Sequence, residues 1–276
     1  MGVFDPTDNS FALVDISSTI STDFKFFGAA TASNGKIIFA PDNADGVGVF
    51  DPTDNSFALV DISSTISTDS KFNGAATASN GKIIFTPYHA DGVGVFDPTD
   101  SSFALVDISS TISIDSKFLG AATASNGKII FTPYNADGVG VFDPTDNSFA
   151  LVDINSTIST DSKFAGAATA SNGKMIFAPT DADAVGVFHA VHPCDASTAP
   201  TNGGVGNCTS SLASGLICQP TCESGYTVSG TSSCSSFGTL TAATCTLSPA
   251  PSSGTPTPTP SVLIVLLTTF VCTLFL

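Results

Sequence analysis

Histidine is the side chain that most often moves protons near neutral pH, and the chain contains three: His89, His189 and His192. Two of them fall in repeated segments, where sister copies carry Asn135 in place of His89 and Asp in place of His189. A catalytic site needs distinct groups that converge, and no Ser-His-Asp or Cys-His set accompanies these histidines. We therefore assign no catalytic residue and no cofactor-binding residue.

Aspartate-rich turns are the second group with chemical potential. Asp51-Pro52-Thr53-Asp54-Asn55 and Asn43-Ala44-Asp45-Gly46 offer carboxylates and carbonyls. Ca²⁺ prefers such ligands, but neither segment has alternating oxygen ligands closed by a Glu. Asp and Asn also favour turns because they accept hydrogen bonds from their own backbone. We therefore favour a role in turns over a calcium site for these segments, and we expect no other metal site.

Cysteine is confined to the end of the chain. All seven cysteines follow residue 190, and an even group of six predicts a disulfide framework formed in an oxidising compartment. The alternative is a metal site, but the one tight pair, Cys218 and Cys222, has no His at zinc spacing. The six members of the group are Cys194, Cys208, Cys218, Cys222, Cys234 and Cys245.

The charge of the chain excludes one class of partner. Eight basic residues, all Lys, face 24 acidic residues, which gives a formal net charge of −16. Such a surface repels phosphate backbones, so nucleic-acid binding is not expected.

The elements that must position these groups come from a repeat. Val-Phe recurs every 46 residues, at Val3, Val49, Val95, Val141 and Val187. Periods of this length are typical of propellers and solenoids, in which one unit cannot bury its own faces.

One unit, residues 71–116, divides into four short apolar segments separated by turn signals. Ser79-Asn80-Gly81 predicts a tight hairpin with positive φ values, and Asp97-Pro98-Thr99-Asp100 places Pro where a type I turn needs it. Four antiparallel strands joined by short turns make one propeller blade. The fold class is therefore all-β: a β-propeller of four 46-residue repeats plus a small disulfide-rich β module.

The number of blades stays open at this point. Lys-Phe pairs start blades at Lys25, Lys71, Lys117 and Lys163, and residues 2–18 form an orphan third and fourth strand. These strands could complete the last blade and close a ring of four, the lower limit for propellers. A truncated larger ring or an open arc with exposed edges is the alternative.

The repeats resemble two known propeller families. Val95 to Phe103 looks like the third-to-fourth-strand hairpin of kelch blades, with Phe103 where kelch repeats carry Trp. Asn126 to Tyr134 is similar to blades of bacterial streptogramin-lyase-like propellers. The resemblance covers about residues 2–189. The paired glycines of kelch repeats are replaced by Gly-Ala-Ala, and the chain contains no Trp.

Variation between copies is concentrated at two places, which we take as loops that could face a ligand. Neutral drift in exposed turns is the alternative. One place follows Lys-Phe and the other is the second turn. The residues concerned are Phe27, Asn73, Leu119 and Ala165 at the first place, and Tyr88, His89, Tyr134 and Asn135 at the second.

The cysteine region resembles a sushi (complement control protein) module, a binding or spacer unit without catalytic residues. The resemblance rests on Cys194, 200–203 (Pro-Thr-Asn-Gly), 222–226 (Cys-Glu-Ser-Gly-Tyr), Gly230, Cys234 and Cys245. It implies disulfides Cys194–Cys234 and Cys222–Cys245, with Cys208–Cys218 as an additional bridge. The Trp usual before the last Cys is absent.

The end of the chain predicts attachment to a membrane. A Pro/Ser/Thr-rich stalk precedes an uncharged apolar stretch, 262–276, that is shorter than the roughly twenty residues a spanning helix needs. Small residues at Ser252 and Ser253, a polar spacer and an apolar tail match a glycosylphosphatidylinositol (GPI) signal. A short membrane tail is the alternative.

Two further features bear on the cellular route of the chain. Asn155-Ser156-Thr157 is an N-glycosylation sequon, which agrees with an extracellular route. The chain starts within a repeat without an apolar signal segment, so we expect the N-terminus to be incomplete.

The expected domains are a propeller (1–191), a sushi-like module (192–246), a stalk (247–261) and a tail (262–276). The function expected of them is non-enzymatic binding or adhesion at the cell surface, with a glycan or a protein as ligand. The alternatives are an extracellular propeller lyase or hydrolase with its site in the central channel, and a purely structural cell-coat protein.

Overall fold

A computed structural model of the chain describes residues 1–189, 193–212, 216–235 and 239–249. Every regular element in those ranges is a β-strand. The repeat region therefore has the all-β architecture that its short apolar segments predict.

The chain begins with a hairpin that forms a sheet by itself. Strand β1 (Gly2–Asp5) pairs antiparallel with β2 (Ser10–Leu13), with Val3 opposite Ala12. The hairpin does not pair with the last blade, so the ring closure considered from the sequence is not made in this structure. The described blades form an arc, and the truncated larger ring considered from the sequence stays a prediction.

Three complete blades follow, each a four-stranded antiparallel meander with strands in sequence order. The first blade has β3 (Phe26–Thr31), β4 (Ile37–Pro41), β5 (Gly46–Asp51) and β6 (Ser56–Asp61). The second has β7 (Phe72–Thr77), β8 (Ile83–Pro87), β9 (Gly92–Asp97) and β10 (Ser102–Asp107). The third has β11 (Phe118–Thr123), β12 (Ile129–Pro133), β13 (Gly138–Asp143) and β14 (Ser148–Asp153).

The last blade has three strands in the described part of the chain: β15 (Phe164–Thr169), β16 (Met175–Pro179) and β17 (Gly186–Phe188). Its outer edge at β17 has no strand paired to it among the described residues. The hairpin β1–β2 at the other end of the arc corresponds to the third and fourth strands of a blade. The first and second strands of that blade are not among the described residues.

The turns agree with the sequence in place and differ in one detail. Gly81 has a positive φ of 85°, but Asn80 is not among the residues with positive φ. The Gly81 amide donates to the Ala78 carbonyl oxygen, so the hairpin is a longer turn in which a single left-handed residue is needed, in place of the two of a type I′ turn. At the turn between β9 and β10, Asp97 accepts a hydrogen bond from the Thr99 amide, as an Asx turn does.

Neighbouring blades stack through their first strands at the centre of the arc. The Thr77 hydroxyl donates to the Thr31 carbonyl oxygen at 2.8 Å, and Thr123 and Thr169 make the same bond one blade further on. A Cβ on Gly28 would lie 2.8 Å from the Gly74 Cα. Glycine is therefore required where the strands approach this closely.

The core of the repeat region lies between blades. Each interface packs aliphatic side chains of one blade against phenylalanines of the next, as Ile38 and Val47 do against Phe72 and Phe85. The third interface repeats the pattern, with Ile130 and Val139 against Phe164. A single blade has two apolar faces, and both are buried only where a neighbour stands on each side.

The cysteine region is a small set of short strands without a helix among its described residues. The strands are β18 (Gly203–Gly204), β19 (Ile217–Cys218), β20 (Thr221–Cys222), β21 (Tyr226–Val228), β22 (Ser232–Cys234), β23 (Leu240–Thr241) and β24 (Cys245–Leu247). Three disulfides cross it: Cys194–Cys234, Cys208–Cys218 and Cys222–Cys245. This is the pairing that the sushi resemblance implies.

Within the described ranges there is no helix long and apolar enough to cross a membrane. The apolar tail 262–276, with Ser252 and Ser253 ahead of it, lies outside the described residues.

Candidate functional site

One face of the arc carries the loops that differ between copies. We call it the loop face: it consists of residues 42–45, 88–91, 134–137 and 180–183, between the second and third strands, and the residues just before each first strand. In the second blade, the Tyr88 amide donates to the Lys71 carbonyl oxygen and the His89 amide to that of Ser70. The variable loop is thus fixed to the start of its own blade.

The residue before each blade-start lysine has a left-handed backbone. Phe24, Ser70, Ser116 and Ser162 have φ values of 50°, 51°, 55° and 51°. Non-glycine residues rarely adopt this conformation, and it persists only where the surroundings hold it. For Ser70, Ser116 and Ser162 the holding contacts come from the preceding blade.

Asparagine makes that contact at two interfaces. The Asn43 side-chain oxygen accepts the Ser70 amide at 2.9 Å, and the Asn135 oxygen accepts the Ser162 amide at 3.0 Å. At the middle interface His89 stands in the asparagine position, and its Nε2 lies 3.3 Å from the Ser116 hydroxyl oxygen. The histidine therefore occupies a structural position and at the same time forms a Ser-His pair.

A lysine is enclosed at every blade interface. Lys71, Lys117 and Lys163 are fully buried, and each backbone amide donates to a loop carbonyl of the preceding blade: that of Asp42, Tyr88 or Tyr134. The Lys71 Nζ donates to the Asp42 carbonyl oxygen at 3.2 Å. These lysines thus join consecutive blades beneath the loop face.

Lys117 is the least satisfied of the three. Its buried Nζ has no hydrogen-bond partner, and the nearest carboxylate oxygen, on the largely exposed Asp91, is 3.9 Å away. Burial lowers the pKa of Lys117, and Asp91 and Asp115 partly oppose that shift. Burial also lowers the pKa of Lys71. The centre of the loop face therefore carries an incompletely neutralised cation just below its surface.

The loop of the first blade carries a buried carboxyl group, in contrast to the buried ammonium group of Lys117. Asp42 is buried, and burial raises its pKa against the attraction of Lys71 and His89. Its sister positions are Tyr88, Tyr134 and Thr180, so the loop face changes from acidic to aromatic along the arc.

Aromatic rings cluster above Lys117. Tyr88 stacks on His89 with ring centroids 4.7 Å apart, and Tyr88 lies 6.2 Å from Tyr134 of the next blade. All three residues are partly exposed. Tyrosine offers a large apolar surface with a polar tip at a small cost in conformational entropy, which suits a recognition surface.

The four positions after Lys-Phe lie in strands, and the loop assignment made for them from sequence was wrong. Phe27, Asn73, Leu119 and Ala165 belong to β3, β7, β11 and β15. Asn73 is buried with its side-chain oxygen unpartnered, so it is not available to a ligand in this arrangement. Phe27 is 61% exposed, because no blade of the described chain precedes β3.

The remaining candidates are dispersed. His189 is exposed at the end of the repeat region, and His192 lies outside the described residues. Asn155 is exposed in the turn after β14, where its amide donates to Asp153. In the described part of the chain, no group of three His, Cys, Asp or Glu side chains could hold a metal ion.

The arrangement on the loop face therefore offers aromatic rings, a Ser-His pair and a buried cation at one blade interface. Sequence reasoning found Tyr88, His89, Tyr134 and Asn135 but missed Ser116 and Lys117. The available signal was the invariant Lys-Phe pair: a lysine kept in every copy ahead of a core phenylalanine indicates a structural role for its ammonium group.

No protein-family model matches the chain, and no curated protein matches it. Solved structures do. A streptogramin B lyase is similar at 15% identity and a TM-score of 0.56, over 68% of this chain and 57% of that one. The chain thus spans just over half the length of that protein.

Two further similar structures come from B. thetaiotaomicron. The extracellular domain of a putative hybrid two-component system matches at 15% identity and a TM-score of 0.50, over 64% of this chain and 22% of that one. The extracellular domain of a putative one-component system matches at 11% identity and a TM-score of 0.51, over 73% of this chain and 27% of that one. At these identities the likenesses show the fold alone, and they confirm the propeller predicted from the 46-residue repeat.

Proposed function

We propose that the chain is a non-enzymatic extracellular binding or adhesion protein whose loop face recognises a glycan or a protein. The observation that carries this proposal is the aromatic cluster across two blades, in which Tyr88 and Tyr134 lie 6.2 Å apart and His89 stacks on Tyr88. A partly exposed cluster of rings is the kind of surface that anchors a ligand.

The surroundings of the rings support binding. Asp91 is exposed beside the cluster, and Asn135 follows Tyr134 on the surface. Polar groups around an apolar centre are the usual anatomy of a recognition surface. Repetition of related loops along the arc would add avidity toward a ligand with several identical units.

The extracellular route of this proposal is supported by the three disulfides, which persist in oxidising compartments. We assign residues 1–191 to the propeller, 192–246 to a sushi-like spacer module and 247–261 to a stalk. The kelch-like and sushi-like assignments rest on the sequence resemblances alone.

Attachment to the membrane is proposed through 262–276, as a GPI signal with its anchor at Ser252 or Ser253. Phosphatidylinositol-specific phospholipase C should release the protein from intact cells. A protein that stays on the membrane after treatment would show that the tail itself is the anchor.

The binding proposal is tested on glycan and protein arrays with Tyr88→Ala and Tyr134→Ala. Each loses one ring of the cluster and should weaken binding at least tenfold, whereas the control Thr180→Ala changes the same turn of the last blade without removing a ring. Binding that is equal in all four proteins would rule out the aromatic cluster as the site. A wild-type protein that binds neither array would favour a structural role in a cell coat.

An extracellular hydrolase or lyase is the second candidate function, and the Ser116–His89 contact of 3.3 Å favours it. The variant His89→Asn recreates the contact that Asn43 and Asn135 make in the sister copies, so it should fold normally. Loss of an ester-hydrolysing activity in His89→Asn and Ser116→Ala would support the enzyme. Wild-type protein without such activity would leave the pair as a structural contact.

A further inference from the structure

The two ends of the arc present the two halves of one interface. Inside the arc, the aliphatic face of each blade packs on the phenylalanine face of the next. In the described chain the last blade has an uncovered aliphatic face, and the first blade has a phenylalanine face that is only partly covered, with Phe26 and Phe39 half-buried. Each end therefore carries the surface that the other end is built to cover.

The exposed fractions of its valines show that the aliphatic face of the last blade is uncovered. Val185 and Val187 are 57% and 56% exposed, whereas their counterparts Val93 and Val95 in the second blade are 0% and 6% exposed. A Cβ on Gly166 would meet nothing within 4 Å, although the counterpart on Gly120 would lie 2.8 Å from the backbone of the next blade. The last blade thus keeps a glycine for a close approach that no described residue makes.

The phenylalanine end is an open groove of about 530 Å³ in front of the first blade. Phe26, Phe39 and Phe57 line it, together with Phe27 and Met1. The counterparts of Phe26 and Phe39 in the second blade, Phe72 and Phe85, are completely buried, whereas Phe103, the counterpart of Phe57, is partly exposed as Phe57 is. The groove is the position that the inner strands of a preceding blade would fill.

We infer that a second copy of this chain docks head to tail, with its first-blade phenylalanine face on the aliphatic face of the last blade. The contact continues the internal interface: Gly28 of the second copy would lie against Gly166, and the Thr31 hydroxyl would donate to the Thr169 carbonyl oxygen. Such an interface is heterologous, because the two surfaces differ. Two copies that close on each other would form a ring of eight blades, four from each copy, within the usual range for propellers of about four to eight.

The orphan hairpin supplies a second argument. In complete blades the third strand pairs with the fourth so that Val95 lies opposite Ala104 and Phe96 opposite Phe103. The last blade ends at β17 without a fourth strand among the described residues, and β2 carries Phe11-Ala12-Leu13, the same residues as the fourth strand. The second copy therefore brings the fourth strand that the described part of the last blade does not contain. Either β17 or β1 fills the third position, since both contain Gly-Val-Phe.

The first test is the mass in solution of the full chain, kept soluble in a density-matched non-ionic detergent and measured by sedimentation equilibrium. The wild type should form dimers, and Gly166→Val should be monomeric with the same circular dichroism spectrum as the wild type, because its side chain enters open space in the isolated arc. The control Ala150→Val adds a similar volume on the exposed outer strand β14 and should dimerise like the wild type. A monomeric wild type, or dimers that persist in Gly166→Val, would overturn the inference.

The second test separates two copies from one chain that closes on itself. Thr31→Cys and Thr169→Cys are combined in a Cys272→Ser background and treated with a short bismaleimide. Head-to-tail docking predicts a covalent dimer on a denaturing gel, and a control pair with Thr31→Cys replaced by Ala58→Cys should give none. A product that is cross-linked only within one chain, or no product, would contradict docking of a second copy.

Discussion

Gly120 and Gly166 lie so close that a Cβ on Gly120 would stand 3.1 Å from the Gly166 Cα and 2.8 Å from the Ala165 carbonyl oxygen. Both neighbours are backbone atoms, which cannot turn aside as a side chain can. The distance between consecutive blades is thus set at this point by the absence of a side chain.

Gly120→Ala should therefore destabilise the repeat region by about 1–3 kcal/mol, the usual cost of overpacking a close contact. Gly166→Ala, measured at a protein concentration at which the chain is monomeric, is the matched control and should change stability by less than about 0.5 kcal/mol, because a Cβ on Gly166 would meet nothing within 4 Å in the single chain. Urea unfolding followed by circular dichroism measures both. Equal losses in the two variants would show that the close approach is not what limits position 120.

Lys117→Met should stabilise the protein. It removes a buried ammonium group that has no hydrogen-bond partner, and replacing a buried charge with an apolar side chain of similar length often stabilises by about 1–4 kcal/mol. Lys36→Met, at a partly exposed lysine paired with Asp51, is the control and should change little. A loss of stability in Lys117→Met would mean that its 3.9 Å contact with Asp91 outweighs the cost of burial.

The same lysine predicts a dependence on pH with a definite sign. Burial lowers the pKa of Lys117 from its ordinary value of 10.5, so between the lowered pKa and 10.5 the unfolded chain binds more protons than the folded one. Stability should rise with pH in that window. The rise should be smaller in Lys117→Met, as measured by thermal unfolding between neutral and alkaline pH.

The turn aspartates predict a loss of stability at acid pH. Asp143 accepts hydrogen bonds from the Thr145 hydroxyl at 2.6 Å and from the Thr145 amide at 3.0 Å. These bonds lower its pKa below the ordinary 3.8. Their contribution to stability is complete above 3.8 and is lost as the pH falls through the lowered pKa. Asp143→Asn should flatten this acid limb of the unfolding curve, whereas an unchanged limb would assign the acid sensitivity to other groups.

The disulfides should contribute unequally. Cys194–Cys234 closes a loop with a sequence separation of 40, against 10 for Cys208–Cys218. If loop entropy dominates, replacing the first pair with Ser should cost about 1 kcal/mol more than replacing the second. Hydrogen exchange of Ser232 and Ser233 amides on β22 reports the stability of this region. A larger loss from the shorter bridge would indicate that packing of Cys208 decides.

Asn155 should carry an N-linked glycan when the chain is expressed in a secretory pathway. The residue is exposed in a turn between blades, and Thr157 completes the sequon. Peptide-N-glycosidase should increase the gel mobility of the wild type and leave Asn155→Gln unchanged. A second, poorer sequon, Asn207-Cys208-Thr209, should remain unmodified, because the Asn207 side chain accepts the Gln219 amide and Cys208 is bridged. A shift that persists in Asn155→Gln would place the glycan elsewhere.

The strand pattern could be predicted because each turn contains residue types that favour a chain reversal. Asn80-Gly81 and Asp97-Pro98 each mark a chain reversal, the first between β7 and β8 and the second between β9 and β10. Local chemistry decides such features, so one copy of the repeat is enough to find them.

The features that could not be predicted from the sequence depend on contacts between copies of the repeat. The burial of Lys117 and Asn73 arises because a neighbouring blade covers them, and the sequence of one unit does not indicate which side is covered. The position after Lys-Phe varies between copies, and variability alone did not distinguish an exposed loop from a strand at the centre of the arc. Closure of the ring depends on curvature, which no local pattern contains.

The threonine bonds at 46-residue spacing join each blade to its immediate neighbours and to no other. A gene that duplicates or deletes one such unit therefore leaves every remaining contact intact, since the new neighbours meet through the same pair of faces. Copy number in this region can change by recombination between repeats without a new interface having to evolve. The near identity of the units is the mark that such a history leaves.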